Sequence, residues 1–301
     1  MSNATGPPVL AIVGPTASGK SHLAMRLAAR WDVEIVNADA FCVYRGMDIG
    51  TAKPSPSDRQ AVRHHLLDTH EVEEPLDVVW FRDHARAAIA AVRARGRTPL
   101  LVGGSGLYVQ AVLDDLRFPG TDPAVRARLE ADLAELGAVR MHARLAEVDP
   151  AAAEVILPTN GRRIVRALEV NEISGEPFTA TLGAGSEWTS NVRIGWDPGT
   201  SEVDQAIERR VDQMWDAGLV AEVLGLAERL RRARTASRAV GYRQILEAVD
   251  RGDDPDTARE HVVVATRRLA RRQRSWFRRD QRVRWAQSPS QLDAILGTLE
   301  P

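Results

Sequence analysis

No stretch of this chain constrains its fold more than Gly14-Pro15-Thr16-Ala17-Ser18-Gly19-Lys20-Ser21. These eight residues fit the pattern G-x-x-x-x-G-K-[ST]. The apolar run Val9-Leu10-Ala11-Ile12-Val13 precedes them, and Leu23, Ala24, Leu27 and Ala28 follow at helical spacing. Strand, glycine-rich loop and helix in that order make a phosphate loop. Backbone N–H groups and the helix N-terminus surround phosphate oxygens, Lys20 adds a point charge, and the Ser21 hydroxyl is available to ligate magnesium. The implied ligand is a polyphosphate. Of 40 Lys plus Arg residues only Lys20 and Lys53 are lysines. A strong bias toward arginine has therefore spared the loop position, where the wider guanidinium is hard to fit.

Short apolar runs and helical patterns alternate through the first third: Val9–Val13, a helix over 20–29, a run at 33–36, a helix over 80–93 and a run at 100–102. That alternation predicts a parallel α/β sheet. From 122 to about 175 the pattern is helical only, broken at Gly137, Asp149-Pro150 and Pro158-Thr159-Asn160, which predicts a helical insert. Residues 192–196 read as a further strand, and helices continue to about 280. The expected organisation is a core of 1–120 with 190–301 and an insert of 121–189.

Bulk properties narrow the setting. The 44% hydrophobic and 27% charged content is that of a globular protein. The N-terminus has no basic leader ahead of a long apolar stretch, and no window approaches the roughly 20 apolar residues of a membrane span. The single cysteine, Cys42, can form neither an internal disulfide nor a cysteine-based zinc site. These features point to a cytoplasmic location with no membrane partner.

Loops that follow strands of a parallel sheet gather at its carboxyl edge, where ligands of such folds sit. Asn37-Ala38-Asp39 is one. A carboxylate facing a polyphosphate serves as a metal ligand or general base, with a turn cap as the plain alternative. Gly103-Gly104-Ser105-Gly106 is another, offering close backbone approach and one hydroxyl. Net charge is −1, yet ten arginines stand between Ala258 and Trp285 against Glu260 and Asp280. Arg267, Arg271, Arg274 and Arg278 share one helical face there, suggesting a polyanion partner or simply a solvated face. Trp276 and Phe277 among these arginines fit nucleic-acid contact or core packing equally. Arg162 and Arg166 also share a face, with an ion pair to Glu169 as the alternative for Arg166. His64-His65 and Asp68 lack the further donors a metal site needs and read as structural.

Taken together these residues resemble the tRNA dimethylallyltransferases, the isopentenyltransferases that modify adenosine 37 beside the anticodon. The resemblance runs from about Leu10 to Phe277. It rests on the phosphate loop, on Asn37-Ala38-Asp39 with Val43-Tyr44-Arg45-Gly46-Met47-Asp48-Ile49-Gly50-Thr51-Ala52-Lys53-Pro54, and on His64-His65-Leu66-Leu67-Asp68. Gly103-Gly104-Ser105-Gly106-Leu107-Tyr108, Asp122-Pro123 with Arg126, and Arg163 with Arg166-Ala167-Leu168-Glu169-Val170 extend it. Gly241-Tyr242-Arg243, Thr266-Arg267-Arg268 and Arg272-Gln273 with Trp276-Phe277-Arg278 complete it.

The resemblance implies a phosphate-loop parallel sheet carrying an inserted all-helical tRNA-binding subdomain. Gly14, Pro15, Thr16, Ala17, Ser18, Gly19, Lys20 and Ser21 would bind the diphosphate of dimethylallyl diphosphate, with Arg210 as a further ligand and Ser21 holding Mg²⁺. Asp39 would be the general base, with Lys20 neutralising the leaving group and Ser105 bonding near the target base. An exocyclic amine is a poor nucleophile, so an allylic carbon, a neutralised leaving group and a carboxylate are the chemistry such a transfer needs. By the same resemblance the anticodon stem-loop would touch Asp39, Ala40, Phe41, Cys42, Ser105, Arg126, Arg162, Arg163, Arg166, Arg238, Gly241, Tyr242, Arg243, Arg271, Arg272, Gln273, Arg274, Trp276 and Arg278, in a monomer, on tRNAs reading codons that begin with U. One departure stands out. After Asp39 the family commonly has Ser-Met-Gln, and this chain has Ala40-Phe41-Cys42. A small-molecule kinase, an adenylate isopentenyltransferase and an RNA-binding module with a vestigial loop are the competing readings. The helical insert and basic helix speak against the first two, and intact Lys20, Ser21 and Asp39 against the third.

Overall fold

The computed structural model describes residues 6–178 and 186–298. Six parallel strands, β1 (Val9–Val13), β2 (Val33–Asn37), β3 (His64–His65), β4 (Thr98–Gly103), β5 (Asn191–Trp196) and β6 (Val283–Ala286), form one sheet in the order β3-β2-β4-β1-β5-β6. The expected parallel α/β sheet is present. Sequence reading missed β3 and β6, which at two and four residues are too short to show a period.

Both faces of the sheet are covered, as a parallel sheet requires. Along β1, Val9, Ala11 and Val13 join one core with Tyr44, Met47, Phe81 and Ile89, while Leu10 and Ile12 join the other with Leu23, Leu27, Leu292 and Leu296. The helices of the first half are α1 (Lys20–Ala28), α2 (Pro56–Ala61), α3 (Val78–Ala94) and α4 (Gly106–Leu113). In α3, Phe81, Ala85, Ile89 and Val92 make the buried stripe at i, i+4, i+8 and i+11, and the Asp77 carboxylate caps the first turn by accepting from the N–H groups of Val79 and Trp80.

The chain divides into two compact units, Met1–Leu113 with Trp188–Pro301, and Asp114–Glu187. The smaller holds α5 (Pro123–Val148), α6 (Pro150–Val155) and α7 (Gly161–Ser174) around Leu129, Met141, Leu145, Ile164 and Leu168. Its breaks fall where the sequence put them. Gly137 interrupts α5 at φ 79°, Asp149 caps α6 and Asn160 caps α7. The larger unit continues with α8 (Thr200–Asp216), α9 (Leu219–Arg232), α10 (Tyr242–Asp250), α11 (Ala258–Arg278) and α12 (Pro289–Gly297). No helix among the described residues is long and apolar enough to cross a membrane.

Candidate active site

Between β1 and α1 the backbone turns through conformations that few residues adopt. Gly14 has φ 146°, and a side chain there would strike the Trp196 carbonyl. Ala17 sits at φ 60° although it is not a glycine, and Gly19 at φ 93° leads into α1. Trp196, at the end of β5, donates its indole N–H to the Ser18 carbonyl at 2.6 Å and pins the loop from the neighbouring strand. The Thr16 N–H donates to Gln273 Oε1 at 2.7 Å, and Arg210 Nη1 donates to Thr16 Oγ1 at 3.4 Å. Helices α8 and α11 thus reach the phosphate loop.

Two polar groups in this loop have unmet capacity. The Ser18 hydroxyl is buried and has no hydrogen-bond partner among the described residues. Lys20 is only 9% exposed and donates to the Pro15 carbonyl at 2.5 Å, with no carboxylate in bonding range among the described residues. Burial, with help from the Arg210 guanidinium, pulls its pKa down to about 7, against the weaker pull of Asp39 and Asp197 in the other direction. A buried cation held short of an anion is a receptor for one.

Asp39 follows β2 in an Asx turn. Asn37 fixes that turn, donating from Nδ2 to the carbonyls of Asp39 and Leu66 and accepting from the Asp39 N–H at 3.0 Å. Asp39 Oδ1 accepts from the Phe41 N–H at 2.9 Å, while no hydrogen bond to Oδ2 is found among the described residues. The turn-cap reading of Asp39 is observed on Oδ1, and it leaves Oδ2 for the cleft. Asp39 shares a cleft of about 1180 Å³ with Thr16, Lys20, Ser21, Arg210 and Gln273. Arg209, Gln213 and Met214 of α8 line it too, and sequence reading did not find them. Ser105 is outside the lining; its hydroxyl accepts from the Ala40 N–H at 3.2 Å and so steadies the Asp39 turn. Ala40 and Cys42 are buried, Phe41 is half-buried against the core, and burial pushes the Cys42 thiol well above its ordinary value, keeping it protonated beside the Thr51 carbonyl.

The predicted RNA contacts separate into engaged and exposed groups. Arg126 and Arg166 both bind the buried Glu169 carboxylate, and Arg166 also donates to the Pro119 and Gly120 carbonyls. The ion-pair alternative for Arg166 is the one observed. Arg162 and Arg163 lie exposed at the start of α7, Arg238 is exposed, and Arg243 stands 3.6 Å from Glu247. Tyr242 must be corrected, because it is 0% exposed, donates its hydroxyl to Glu222 at 2.5 Å, and cannot meet an RNA; Gly241 before it is buried as well.

On α11 the four arginines of the basic face all stand by carboxylates. Arg267 pairs with Glu208, Arg271 approaches Asp204 at 3.5 Å, Arg274 grips Asp197 at 2.5 and 2.7 Å, and Arg278 stands 3.7 Å from Asp197. Arg267 and Arg271 meet carboxylates of α8 and Arg274 and Arg278 meet Asp197 ahead of it, while the side chains of Arg271 and Arg278 stay more than half exposed. A second stripe, Arg268, Arg272 and Trp276, is exposed, and neither arginine has an ion-pair partner among the described residues. His64 and His65 belong to β3, where His65 Nε2 bonds Glu34 at 2.7 Å; among the described residues no His, Cys, Asp and Glu cluster suits a metal.

A glycine-rich loop between strand and helix, with Lys20 and Asp39 lining one cleft at the carboxyl edge of a parallel sheet, is the arrangement of a phosphate-loop-like α/β fold. The chain belongs to the IPP transferase family, whose model matches residues 42–280. It is 55% identical over 295 residues to a tRNA dimethylallyltransferase of Kineococcus radiotolerans, covering 96% of this chain and 93% of that one. Over 280 residues it is 56% identical to the protein of that name from Streptomyces avermitilis, covering 93% and 90%. Among solved structures, the full-length tRNA isopentenylpyrophosphate transferase of Bacillus halodurans aligns with a TM-score of 0.69 at 36% identity, over 97% of this chain and 96% of that one. A eukaryotic dimethylallyltransferase acting on tRNA shares the fold, with a TM-score of 0.77 at 22% identity over 97% and 77% of the two chains.

Proposed function

We propose that this chain transfers a dimethylallyl group from dimethylallyl diphosphate to the exocyclic 6-amino group of adenosine 37 in tRNAs that read codons beginning with U. The observation that carries the reading is that one cleft holds a buried Lys20 with no carboxylate partner among the described residues and an Asp39 carboxylate with one oxygen engaged. Family membership supplies the allylic donor and the RNA acceptor.

In this reading the diphosphate lies on the loop 14–21, where the unpartnered Ser18 hydroxyl, the Lys20 ammonium and Arg210 take its oxygens. As the amino nitrogen bonds to the allylic carbon, the carbon–oxygen bond to diphosphate breaks, the electron pair leaves with diphosphate, and a proton of the amino group passes to Asp39 Oδ2. The donor set fits magnesium only as an ion that arrives with the phosphates. Ser21 and Asp39 offer oxygens to the cleft, and the described residues contain no three-carboxylate or histidine cluster to hold a metal alone. Bound there, the ion would neutralise charge on the leaving diphosphate.

The target base has to leave its stack to reach a carboxylate inside the cleft. The exposed arginines Arg162, Arg163, Arg238, Arg243, Arg268 and Arg272, with the ring of Trp276, suit an RNA backbone and splayed loop bases. We assign the smaller unit to the stem-loop on the same ground, and infer a monomer working in the cytoplasm.

The test is transfer of labelled dimethylallyl, with magnesium, to an anticodon stem-loop carrying adenosine 37, to the same loop with guanosine 37, and to AMP. Label on the adenosine loop alone is expected. Label on AMP alone would make the chain a free-nucleotide prenyltransferase, and label on none would remove the proposal.

A further inference from the structure

The same cleft is lined by Asp48, Ile49, Thr51, Ala52 and Lys53, which no step of the proposed transfer uses. The N–H groups of Asp48, Ile49 and Gly50 all point at one carboxylate, that of Glu222 on α9, at 3.0, 2.9 and 3.3 Å. Successive N–H groups converging in this way form an anion-binding nest, and here the anion is built into the protein. The Tyr242 hydroxyl completes the shell of Glu222. Its ring lies so close that any side chain on Gly50 would collide with it, so ring and backbone are locked face to face.

From the other end, the Lys53 ammonium donates to the Tyr44 carbonyl at 2.6 Å, to Asp48 at 2.5 Å and to Asp68 at 2.7 Å, and Arg59 holds the second oxygen of Asp68. Between the two ends Ala52 is held at φ 49°, a left-handed conformation that a non-glycine keeps only when its surroundings impose it. The wall is tied to the segment after Asp39 as well, since Cys42 Sγ donates to the Thr51 carbonyl at 3.7 Å.

We propose that Glu222, with Tyr242 and Lys53, is a positioning clamp for the acceptor side of the cleft, setting the distance between the wall at 48–53 and Asp39 and so deciding how well the RNA base seats. The inference rests on the function proposed above. Glu222 touches neither substrate and acts through the backbone it holds. Its importance rises in this chain because Ala40-Phe41-Cys42 offers few polar side chains to orient the base. The clamp fixes the acceptor side by geometry, while the donor side, the loop 14–21 with Arg210 of α8, makes no hydrogen bond to the clamp among the described residues.

The experiment compares wild type with Glu222→Gln and Tyr242→Phe by donor diphosphate affinity, by kcat and KM for the stem-loop RNA, and by amide exchange over 48–53. Glu222→Gln is expected to raise the RNA KM about tenfold, leave donor affinity within twofold, and speed exchange of the three amides at least tenfold. Tyr242→Phe, which removes one hydroxyl and keeps the ring, should move the same quantities about threefold. An unchanged RNA KM in Glu222→Gln overturns the clamp. So does a parallel loss of donor and RNA affinity, which would mark a merely structural residue. A wild-type protein that transfers nothing to any RNA would instead sink the proposed function, and the exchange data would still report whether Glu222 holds the wall.

Discussion

The chain's two lysines are equally buried, at 9% exposure each, and line one cleft in opposite company. Lys53 has two carboxylates and a carbonyl around its ammonium, whereas Lys20 has a single carbonyl and a neighbouring guanidinium. A buried charge that is fully paired belongs to the architecture; one that is left short belongs to a ligand. The same distinction sorts the arginines of α11: Arg267, Arg271, Arg274 and Arg278 stand by carboxylates, whereas Arg268 and Arg272 have none among the described residues.

The strongest break of this comparison falls on the group that faces Lys20 across the site. Asp39→Asn keeps the oxygen that caps Phe41 and removes the proton acceptor. Transfer should fall about a thousandfold while stem-loop binding stays within threefold, checked by single-turnover rates and by filter binding. A turnover near wild type would take Asp39 out of the role of base. Next come the lysines. Lys20→Met should weaken donor binding about a hundredfold without lowering the melting temperature, because an uncompensated buried charge is removed. Lys53→Met should do the reverse, costing about 3 kcal/mol of stability by stranding the half-buried Asp68 carboxylate and the Tyr44 carbonyl and leaving donor affinity nearly intact. If the two variants behave alike, the distinction fails.

How much of this is legible in the sequence follows from range. The phosphate loop is a local object whose strand, turn and helix occupy one continuous stretch, so the order of residues is enough to place it. The breaks at Gly137, Asp149-Pro150 and Asn160 are legible for the same reason. Tyr242 is assigned to RNA by its neighbours in sequence, which resemble an RNA-contacting motif, yet its burial is decided by Gly50 and Glu222, which no spacing rule joins to it. For α11 a signal exists that the reading of a single helix passes over. Asp204, Glu208 and Asp212 recur every four residues along α8, an acidic stripe that matches the arginines facing it. Strands β3 and β6 carry no period to read.

The lowered pKa of Lys20 sharpens the comparison through pH. With a pKa of about 7 in the free protein and 10.5 in the unfolded chain, the folded state binds fewer protons between those values. The stability contribution of this group therefore rises as pH goes from 7 to 10.5. Bound diphosphate favours the charged form and raises the pKa again, so donor binding should take up a proton above a pH of about 7. Donor affinity should fall, by up to about tenfold per pH unit, until the pKa of the complex is reached. Calorimetry in buffers of different ionisation enthalpy measures the uptake, and in Lys20→Met it should vanish.

The smallest effect tests the sorting of α11. Arg268→Ala with Arg272→Ala removes two exposed guanidiniums that have no carboxylate partner among the described residues, so RNA binding should weaken several-fold and its salt dependence should flatten, the log–log slope losing about one to two. Arg267→Ala with Arg271→Ala takes away as much formal charge from the same helix, but that charge is already matched by Asp204 and Glu208. Those pairs are partly exposed and contribute about 1 kcal/mol or less to stability. Their loss should leave the salt slope unchanged and cost a little RNA affinity, because two carboxylates are freed to repel phosphate. Equal slopes for the two double variants would mean that RNA senses the net charge of the helix and not the face that carries it. A flatter slope for Arg267 and Arg271 alone would mean that α8 gives up its partners to the RNA on binding.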